Sequence, residues 1–527
     1  MRPACRSFPG AARAAAAAIL AVLTGCAALA GAGAAPACAQ VTSVEQLHYP
    51  PQRRFEIPRP QRVVLDNGMV VMLIEDHELP LVTVSAMLRV GSRLDPPDKL
   101  GLSAIAADML RTGGIARHPG AARGDGALSG DALDDELEAH AATLDVEIGE
   151  DSGSATLNAL KGDFAGLLPL LAAVLRYPDF AGAKLDLAKE AARAHLARQD
   201  DDPDEVMWRE LARLVYGPDS VYGRTPTAAT LEAIGRRDLL EWQQRNLHPE
   251  HVVLGVVGDV RADEALAAIR AAFGGWPRGP AATATAATPA TTAAPATPAL
   301  AAFPYRHEPH PGLFAVDKED MSQSDVAMGH LGVVKNDPDY FALQVLNELL
   351  AGSFGSRLVA HVRTEKALAY SVDGGIGSDW DHPGLAALSL STKVGTTAEG
   401  IAALLAEARD LTAKPPTDDE VGRAKQSILA SFTFHSDSPG KVLSQQLTFE
   451  LFGYPLDWLE RYRAGVEAVT TDAVRQAAAR HLHPDAFTIL VVGPGESRDP
   501  SLTQFGKVTP IALGSAAAAG AGGGPNR

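Results

Sequence analysis

Cysteine is nearly absent from this sequence. The 527 residues hold three, Cys5, Cys26 and Cys38, all before residue 40. The rest of the chain therefore has no disulfide, no thiolate metal site and no cysteine nucleophile. Positive charge is also in short supply. Lys and Arg total 47 against 64 Asp and Glu, a formal net charge of −17. A phosphate backbone is gripped through a basic footprint, so nucleic acid is excluded as a partner, and the acidity reads as a solubility device. After residue 39 there is no long uninterrupted apolar run, so no later segment is expected to span a bilayer. Apolar content of 46% and charged content of 21% are ordinary for a soluble globular protein. The length exceeds what one core accommodates, so two or more domains are expected.

The cysteine-bearing start has the form of a secretory leader. Arg2, Arg6 and Arg13 make a basic n-region, and Ala14 to Leu23 is an apolar stretch too short to cross a membrane. Two exits are legible. Ala37-Cys38-Ala39 before Gln40 is a small-x-small cleavage site. Leu23-Thr24-Gly25-Cys26 resembles a bacterial lipobox, in which Cys26 is lipidated. The chain is therefore expected to be exported and periplasmic, with a membrane reached only through Cys26.

Residues 277–302 are almost entirely Ala, Thr and Pro and cannot build a core, so they read as a semi-stiff linker. The segments on either side echo each other. Leu231-Glu232-Ala233-Ile234 has a counterpart in Val466-Glu467-Ala468-Val469, Leu247-His248-Pro249 in Leu482-His483-Pro484, and Val256-Val257-Gly258 in Val491-Val492-Gly493, always at an offset of 235 residues. One offset shared by three separated motifs reads as an internal duplication. The expected organisation is a leader at 1–39, a first domain at 40–276, the linker, a second domain at 303–513 and an Ala/Gly-rich disordered tail at 514–527.

Within the first domain, Val63-Val64-Leu65 and Val70 to Ile74 flank the hairpin turn Asp66-Asn67-Gly68. Val82, Val84, Ala86, Leu88 and Val90 alternate as in a half-buried strand. Gly101 to Arg111 reads as a helix stopped at Gly113, strands are expected near Ala142 to Ile148 and Ser154 to Leu160, and a long helix over about Ala183 to Arg198. The elements mix without regular βαβ alternation, so each domain reads as α+β. On the helix GLSAIAADML, Leu102, Ile105, Ala106 and Met109 make the apolar stripe, while Ala104, Ala107 and Asp108 share another face.

The hairpin, then Val90-Gly91-Ser92-Arg93, then Gly-Leu-x-x-x-x-x-x-Met-Leu, resembles the pitrilysin-type (inverzincin, mitochondrial-processing-peptidase-like) metallopeptidases. Tyr222-Gly223-Arg224-Thr225-Pro226 and Val256-Val257-Gly258-Asp259-Val260 add to the resemblance, which runs from about Arg62 to Val508. It implies two homologous pitrilysin-like α+β domains. Active members carry H-x-x-E-H on this helix, two zinc ligands and the base that activates the metal-bound water. In that register Ala104 replaces the first His, Ala107 the Glu base and Asp108 the second His, and the family's third ligand, a Glu, falls at His195. The resemblance thus implies no metal and no cofactor in this chain. Neither H-x-x-E-H nor H-E-x-x-H occurs elsewhere, and His307 and His310 sit in a Pro-rich segment expected to be exposed.

The second domain retains what the first lacks. Gly355-Ser356-Arg357-Leu358 followed by Val362-Arg363-Thr364-Glu365-Lys366-Ala367-Leu368-Ala369-Tyr370-Ser371-Val372 is similar to the family's second signature, an Arg and a Tyr seven residues apart. The resemblance gives Arg363 and Tyr370 the role of donors to a substrate carbonyl and its developing oxyanion, in a site completed by another domain. Read without it, Arg363 closes a helix C-terminus and Tyr370 enters an apolar strand as ordinary core. The expectation is a zinc-free accessory subunit, inactive alone, that completes the site of a homologous zinc-bearing peptidase subunit acting on unfolded peptides. In this family such peptides are also held by edge-strand addition. The alternatives are a non-enzymatic binding or structural protein on the peptidase fold, and an autonomous peptidase with an unrecognised metal site.

The leader generates the first prediction. Cell fractionation should find the protein in the periplasm or on a membrane through Cys26, and fatty-acid labelling of Cys26 distinguishes the two. A cytosolic protein that keeps its leader would contradict the reading.

Overall fold

The computed structural model describes residues 58–119, 126–279 and 311–514. The leader with Cys26, most of the linker (280–302), His307, His310 and the tail from 515 lie outside the described residues. The strands are β1 Gln61–Val64, β2 Val70–Glu75, β3 Leu81–Leu88, β4 Thr143–Ile148, β5 Gly153–Leu160 and β6 Val252–Gly258 before the linker. After it come β7 Gly312–Asp317, β8 Gln323–Leu331, β9 Val333–Val334, β10 Ala369–Ile376, β11 Ser378–Asp379, β12 Leu385–Lys393, β13 Thr488–Gly493 and β14 Val508–Ile511. Six helices carry the argument: α1 Leu102–Thr112, α2 Gly182–Arg198, α3 Pro203–Tyr216, α4 Tyr340–Asn347, α5 Asp418–Phe432 and α6 Pro439–Phe452.

These elements follow the sequence pattern closely. The β1–β2 turn holds because Gly68 adopts φ +88° and Asn67 Nδ2 donates to Phe273 O at 2.9 Å. In β3, Val82, Val84, Ala86 and Leu88 point inward, and Val90 is buried just past its end. The helix expected at Gly101 to Arg111 is α1, capped at Gly113, and the long one is α2.

Each half folds around one six-stranded sheet, so the expected α+β class is what the structure has. The orders are β1-β2-β6-β3-β5-β4 and β10-β12-β8-β13-β7-β14, with β9 and β11 as a separate pair. Read from the other end, the second sheet repeats the first. β2 with β6 and β7 with β13 are parallel, while β6–β3–β5–β4 and β13–β8–β12–β10 are antiparallel throughout. Only the outermost pairing differs, since β1 is antiparallel to β2 and β14 is parallel to β7. Such a repeat of topology is what an internal duplication produces.

The halves are joined by a reciprocal exchange of helices. Helix α3 belongs to the first half, yet its Val206, Met207, Leu211 and Val215 pack on Val316, Ala327, Leu490 and Val492 of the second sheet. Helix α6 does the reverse. Its Val442, Leu443, Leu447 and Leu451 cover Val70, Met72, Ile74 and Val253 of the first sheet. The four core positions of one helix stand 236 residues from those of the other (206 to 442, 207 to 443, 211 to 447, 215 to 451). Polar contacts fix the register of α6: Arg62 forms a fork on Glu450 at 2.9 and 2.7 Å, and the Arg89 guanidinium donates to Leu451 O.

A charged seam closes the far side. Arg93, with only 2% of its side chain exposed, reaches Asp151 at 3.0 Å within its own half and Asp381 at 2.8 Å in the other. His382 stacks on Tyr222 at 3.8 Å, and Tyr216 Oη donates to Pro383 O at 2.8 Å. Burial, and next the Asp151 charge, pushes the neighbouring Glu150 carboxyl up to about 7. The beginning of the linker is also held. Arg278 donates to Asp66 O at 3.2 Å and Gly279 N to Glu250 at 2.9 Å, so packed structure extends through residue 279.

The helix exchange predicts one sensitive glycine. A Cβ on Gly255 would lie 2.6 Å from Leu447 Cδ1 and 3.1 Å from Leu443 Cδ2. Gly255→Val should therefore lift α6 from the first sheet and cost about 1–3 kcal/mol. Thermal denaturation should show a clearly lower Tm, and an unchanged Tm would mean that this contact is loose.

Candidate functional site

Helix α1 is held rigidly at its start. Gly101 takes φ +97°, and the Asp95 carboxylate accepts from Gly101 N and Ser103 N, each at 3.0 Å, and from the Ser103 hydroxyl. Trp242 Nε1 donates to the same hydroxyl at 3.2 Å. The buried stripe of α1 is Leu102, Ile105, Ala106, Met109 and Leu110, with Ala107 beside it. Ala104 and Asp108 face outward into a cavity of about 630 Å³ between α1, α2 and the first turns of α3.

The structure brings the degenerate ligand positions together. Ala104, Asp108 and His195 all line this cavity, as the family register requires, while Ala107 turns into the core. Asp108 and His195 are both exposed and do not hydrogen-bond to each other. Partial burial raises the Asp108 carboxyl above its ordinary value, against the pull of Arg111 and Lys184. Much of the surrounding wall is apolar, Ile105, Ala188, Ala191, Ala192, Leu196 and Leu231, with Gln199, Glu205 and Arg209 as its polar part. Zinc needs at least three protein ligands, and hydrolysis needs a base beside the metal. Glu205 also borders the cavity, but Asp108, His195 and Glu205 are not among the described groups whose ligand atoms converge, and alanine stands at both the first-ligand and base positions. This arrangement does not fit a catalytic zinc, and no step through one is derived for this chain.

Two other groups among the described residues have metal-ligand chemistry, and both are already neutralised. Asp151 and Asp381 grip the Arg93 guanidinium, and His382 lies 3.7 and 3.1 Å from the same two carboxylates. Asp339 is held by Arg480 at 2.6 and 2.7 Å and by His481 at 2.8 Å, and Asp337 lies 3.8 Å from the same imidazole.

Arg363 and Tyr370 lie in the second half and do not line the α1–α2 cavity. Arg357 is anchored by a fork on Glu420 at 3.0 and 3.2 Å, and Leu358 and Val362 are fully buried. Between them the chain winds as a π-helix, Leu358–Glu365, which leaves Arg363 exposed in its last turn. Ala367 then adopts φ +52°, a left-handed conformation uncommon for a residue with a side chain. Tyr370 follows on a β-bulge. Ala369 pairs with Thr392 and Ser371 with Ser391, so Tyr370 is the extra residue. Its side chain is 76% exposed, which removes the reading of Tyr370 as core. Among the described residues neither side chain has a hydrogen-bond or ion-pair partner. Strand β10, which carries Tyr370, is an edge of its sheet, with no strand paired on its other side among the described residues.

The segment Tyr222-Gly223-Arg224-Thr225-Pro226 has no role that its sequence alone reveals. The structure supplies one: Thr225 and Pro226 wall the cavity, and Arg224 donates to Arg93 O and Asp95 O at 3.4 and 3.3 Å.

With this geometry in hand, comparison with known proteins is informative. The family model described as Peptidase M16 inactive domain matches residues 233–428, mainly the half that carries Arg363 and Tyr370. The chain is thus similar to M16-type peptidases, the resemblance its motifs carry. It is 24% identical over 433 residues to the non-peptidase homolog YmxG of Helicobacter pylori, covering 80% of this chain and 91% of that protein. It is 25% identical over 446 residues to an uncharacterized zinc protease of Mycobacterium bovis, covering 83% and 94%. Among solved structures it resembles a peptidase M16 inactive domain from Pseudomonas fluorescens, with a TM-score of 0.69 at 22% identity, covering 83% of this chain and 98% of that one. A protease from Helicobacter pylori aligns with a TM-score of 0.67 at 16% identity, covering 83% and 100%. At these identities the structural likeness speaks for the fold. The inactive-domain match and the relatives, named as a non-peptidase homolog and as zinc proteases, together support a peptidase-like chain.

The cavity generates a two-sided prediction. The purified mature chain alone should hold no stoichiometric zinc and show no chelator-sensitive peptide cleavage. Replacing Ala104→His, Asp108→His and His195→Glu together should create a site that retains about one zinc per chain. Tight zinc in the natural chain, or none in the triple variant when folded, would show the ligand register to be wrong.

Proposed function

We propose that this chain is the accessory subunit of a two-chain M16-type peptidase. It pairs with a homologous subunit that bears zinc and H-x-x-E-H, and Arg363 and Tyr370 complete that partner's site. The observation that carries this reading is the exposed Arg363 and Tyr370, unpartnered among the described residues, in a chain whose own α1–α2 cavity has alanine at the first-ligand and base positions. Peptide hydrolysis builds negative charge on the carbonyl oxygen, and fixed donors aimed at that oxygen lower the barrier. Arg363 offers a permanent charge and a planar fork, and Tyr370 a neutral hydroxyl. The unpaired side of β10 suits an extended, unfolded peptide that adds a strand. On the strength of the leader, the assembly works in an exported compartment.

The test is reconstitution with a homologous zinc-bearing chain. Tyr370→Phe keeps the ring and deletes only the hydroxyl. In the complex it should lower kcat by about 100- to 1,000-fold while zinc content and assembly stay intact. Arg363→Ala should do the same and raise KM as well. If Tyr370→Phe turns peptide over at the wild-type rate, the pair is not a donor pair. The non-enzymatic scaffold, which the non-peptidase relative also suits, then becomes the better reading.

A further inference from the structure

The repeat places a second cavity where the first half has its alanine-lined one. The buried stripe of α1 (Leu102, Ile105, Ala106, Met109, Leu110) recurs 240 residues on as Ala342, Val345, Leu346, Leu349 and Leu350. In that register Ala104, Ala107 and Asp108 correspond to Gln344, Asn347 and Glu348. All three line a cavity of about 600 Å³ between α4, α5 and α6, beside Asp373 and Gly374 of β10.

This cavity differs chemically from its counterpart. Its walls are aromatic: Tyr340, Trp380, Phe432, Phe449, Trp458 and Tyr462. The rings pack edge and face on one another, Tyr340 against Trp458 at 5.9 Å and Phe432 stacked on Tyr462 at 6.0 Å. An aromatic cluster of this kind is ordinarily a small satellite core. Two features make it more than that here. Glu348 Oε1 and Gln445 Oε1 are buried on its wall without a hydrogen-bond partner among the described residues. Both atoms only accept, so what they lack is a donor. One cation already uses the wall, since Lys335 Nζ sits 3.7 Å over the Trp380 ring. Glu348 together with Asp373 at the mouth outweighs that single lysine.

We propose that this cavity binds an organic cation with an apolar stem, its charged head donating to Glu348 Oε1 and Gln445 Oε1 and its stem lying on the faces of Trp458, Tyr340 and Tyr462. The chemistry fits an arginine or lysine side chain of a peptide or a free amine or guanidine. A peptide paired along the open edge of β10 would pass the mouth, because Asp373 and Gly374 belong both to that strand and to the cavity wall. The site requires neither zinc nor a partner subunit, so it stands or falls separately from the accessory-subunit reading.

The experiment is calorimetric titration of the full mature chain, with intrinsic fluorescence of Trp380 and Trp458 as a second readout. The probes are a capped hexapeptide with one arginine, the same peptide with norleucine in its place, and n-butylguanidinium. The arginine peptide should bind and the norleucine peptide should not. Binding of n-butylguanidinium at comparable strength assigns the site to free amines and guanidines, and binding of the peptide alone assigns it to peptide side chains on β10. Glu348→Gln should weaken the interaction about tenfold or more. It should leave the Tm of the free protein unchanged or raised, because it removes a charge whose buried oxygen has no partner. Trp458→Leu, with the carboxylate intact, should weaken binding severalfold. The proposal is overturned if no cationic probe binds, if norleucine serves as well as arginine, or if Glu348→Gln binds like the natural chain.

Discussion

The exchange of α3 and α6 is the contact on which the rest of this structure depends. Each six-stranded sheet has two faces to cover. In each half, helices of that half cover one face, and the other is covered by a helix supplied from across the molecule. Val70, Met72, Ile74 and Val253 would meet water without α6, and Val316, Leu490 and Val492 would do so without α3. Apolar burial is the main favourable term in folding, so neither half is complete alone. The Ala/Thr/Pro segment between them need not fix their arrangement, because the arrangement is written in these two interfaces and in the Arg93 seam.

The exchanged helices also frame both cavities. Glu205 and Arg209, near the start of α3, border the cavity of the first half, and Ser444, Gln445, Thr448 and Phe449 of α6 border that of the second. One geometry, used twice, thus holds two chemistries. In the first half the positions that would ligate or activate are Ala104 and Ala107, and Asp108, His195 and Glu205 do not converge on one point. In the second half the matching helix offers Gln344, Asn347 and Glu348 beneath a wall of rings. The difference lies in the side chains hung on a common frame.

Much of this frame was legible in the sequence because its signals are local. The turn Asp66-Asn67-Gly68, the alternation from Val82 to Leu88 and the stop at Gly113 each depend on neighbours within a few residues, and each element lies where the pattern puts it. The shared offset revealed the repeat. The exchange was not legible, because Val206, Met207, Leu211 and Val215 make the same amphipathic stripe whichever sheet they cover. Arg93 was visible as part of a motif, but its partner Asp381 is 288 residues away, and no spacing rule connects them. The aromatic cavity was missed for a related reason. Its rings come from α4, α5, α6, the loop after β11 and the helix Trp458–Ala468, and only the fold collects them.

The segment from Arg363 to Tyr370 shows where local regularity is given up. A π-helix, a left-handed alanine at Ala367 and a bulge at Tyr370 follow within a few residues. Strained backbone positions cost on the order of 1–3 kcal/mol each and persist only where the surroundings over-determine them. Those surroundings are present: Arg357 is forked onto Glu420, Leu358 and Val362 are sunk in the core, and Thr392 Oγ1 donates to Leu368 O at 2.6 Å. The result of that anchoring is to hold a guanidinium and a phenol outward, without a hydrogen-bond or ion-pair partner among the described residues. A purely structural role would be better served by an inward tyrosine and an unbroken ladder. Under the accessory-subunit proposal the strain is accounted for as positioning for a group outside the chain, and Tyr370, on the bulge of an edge strand, is the side chain such a group would meet.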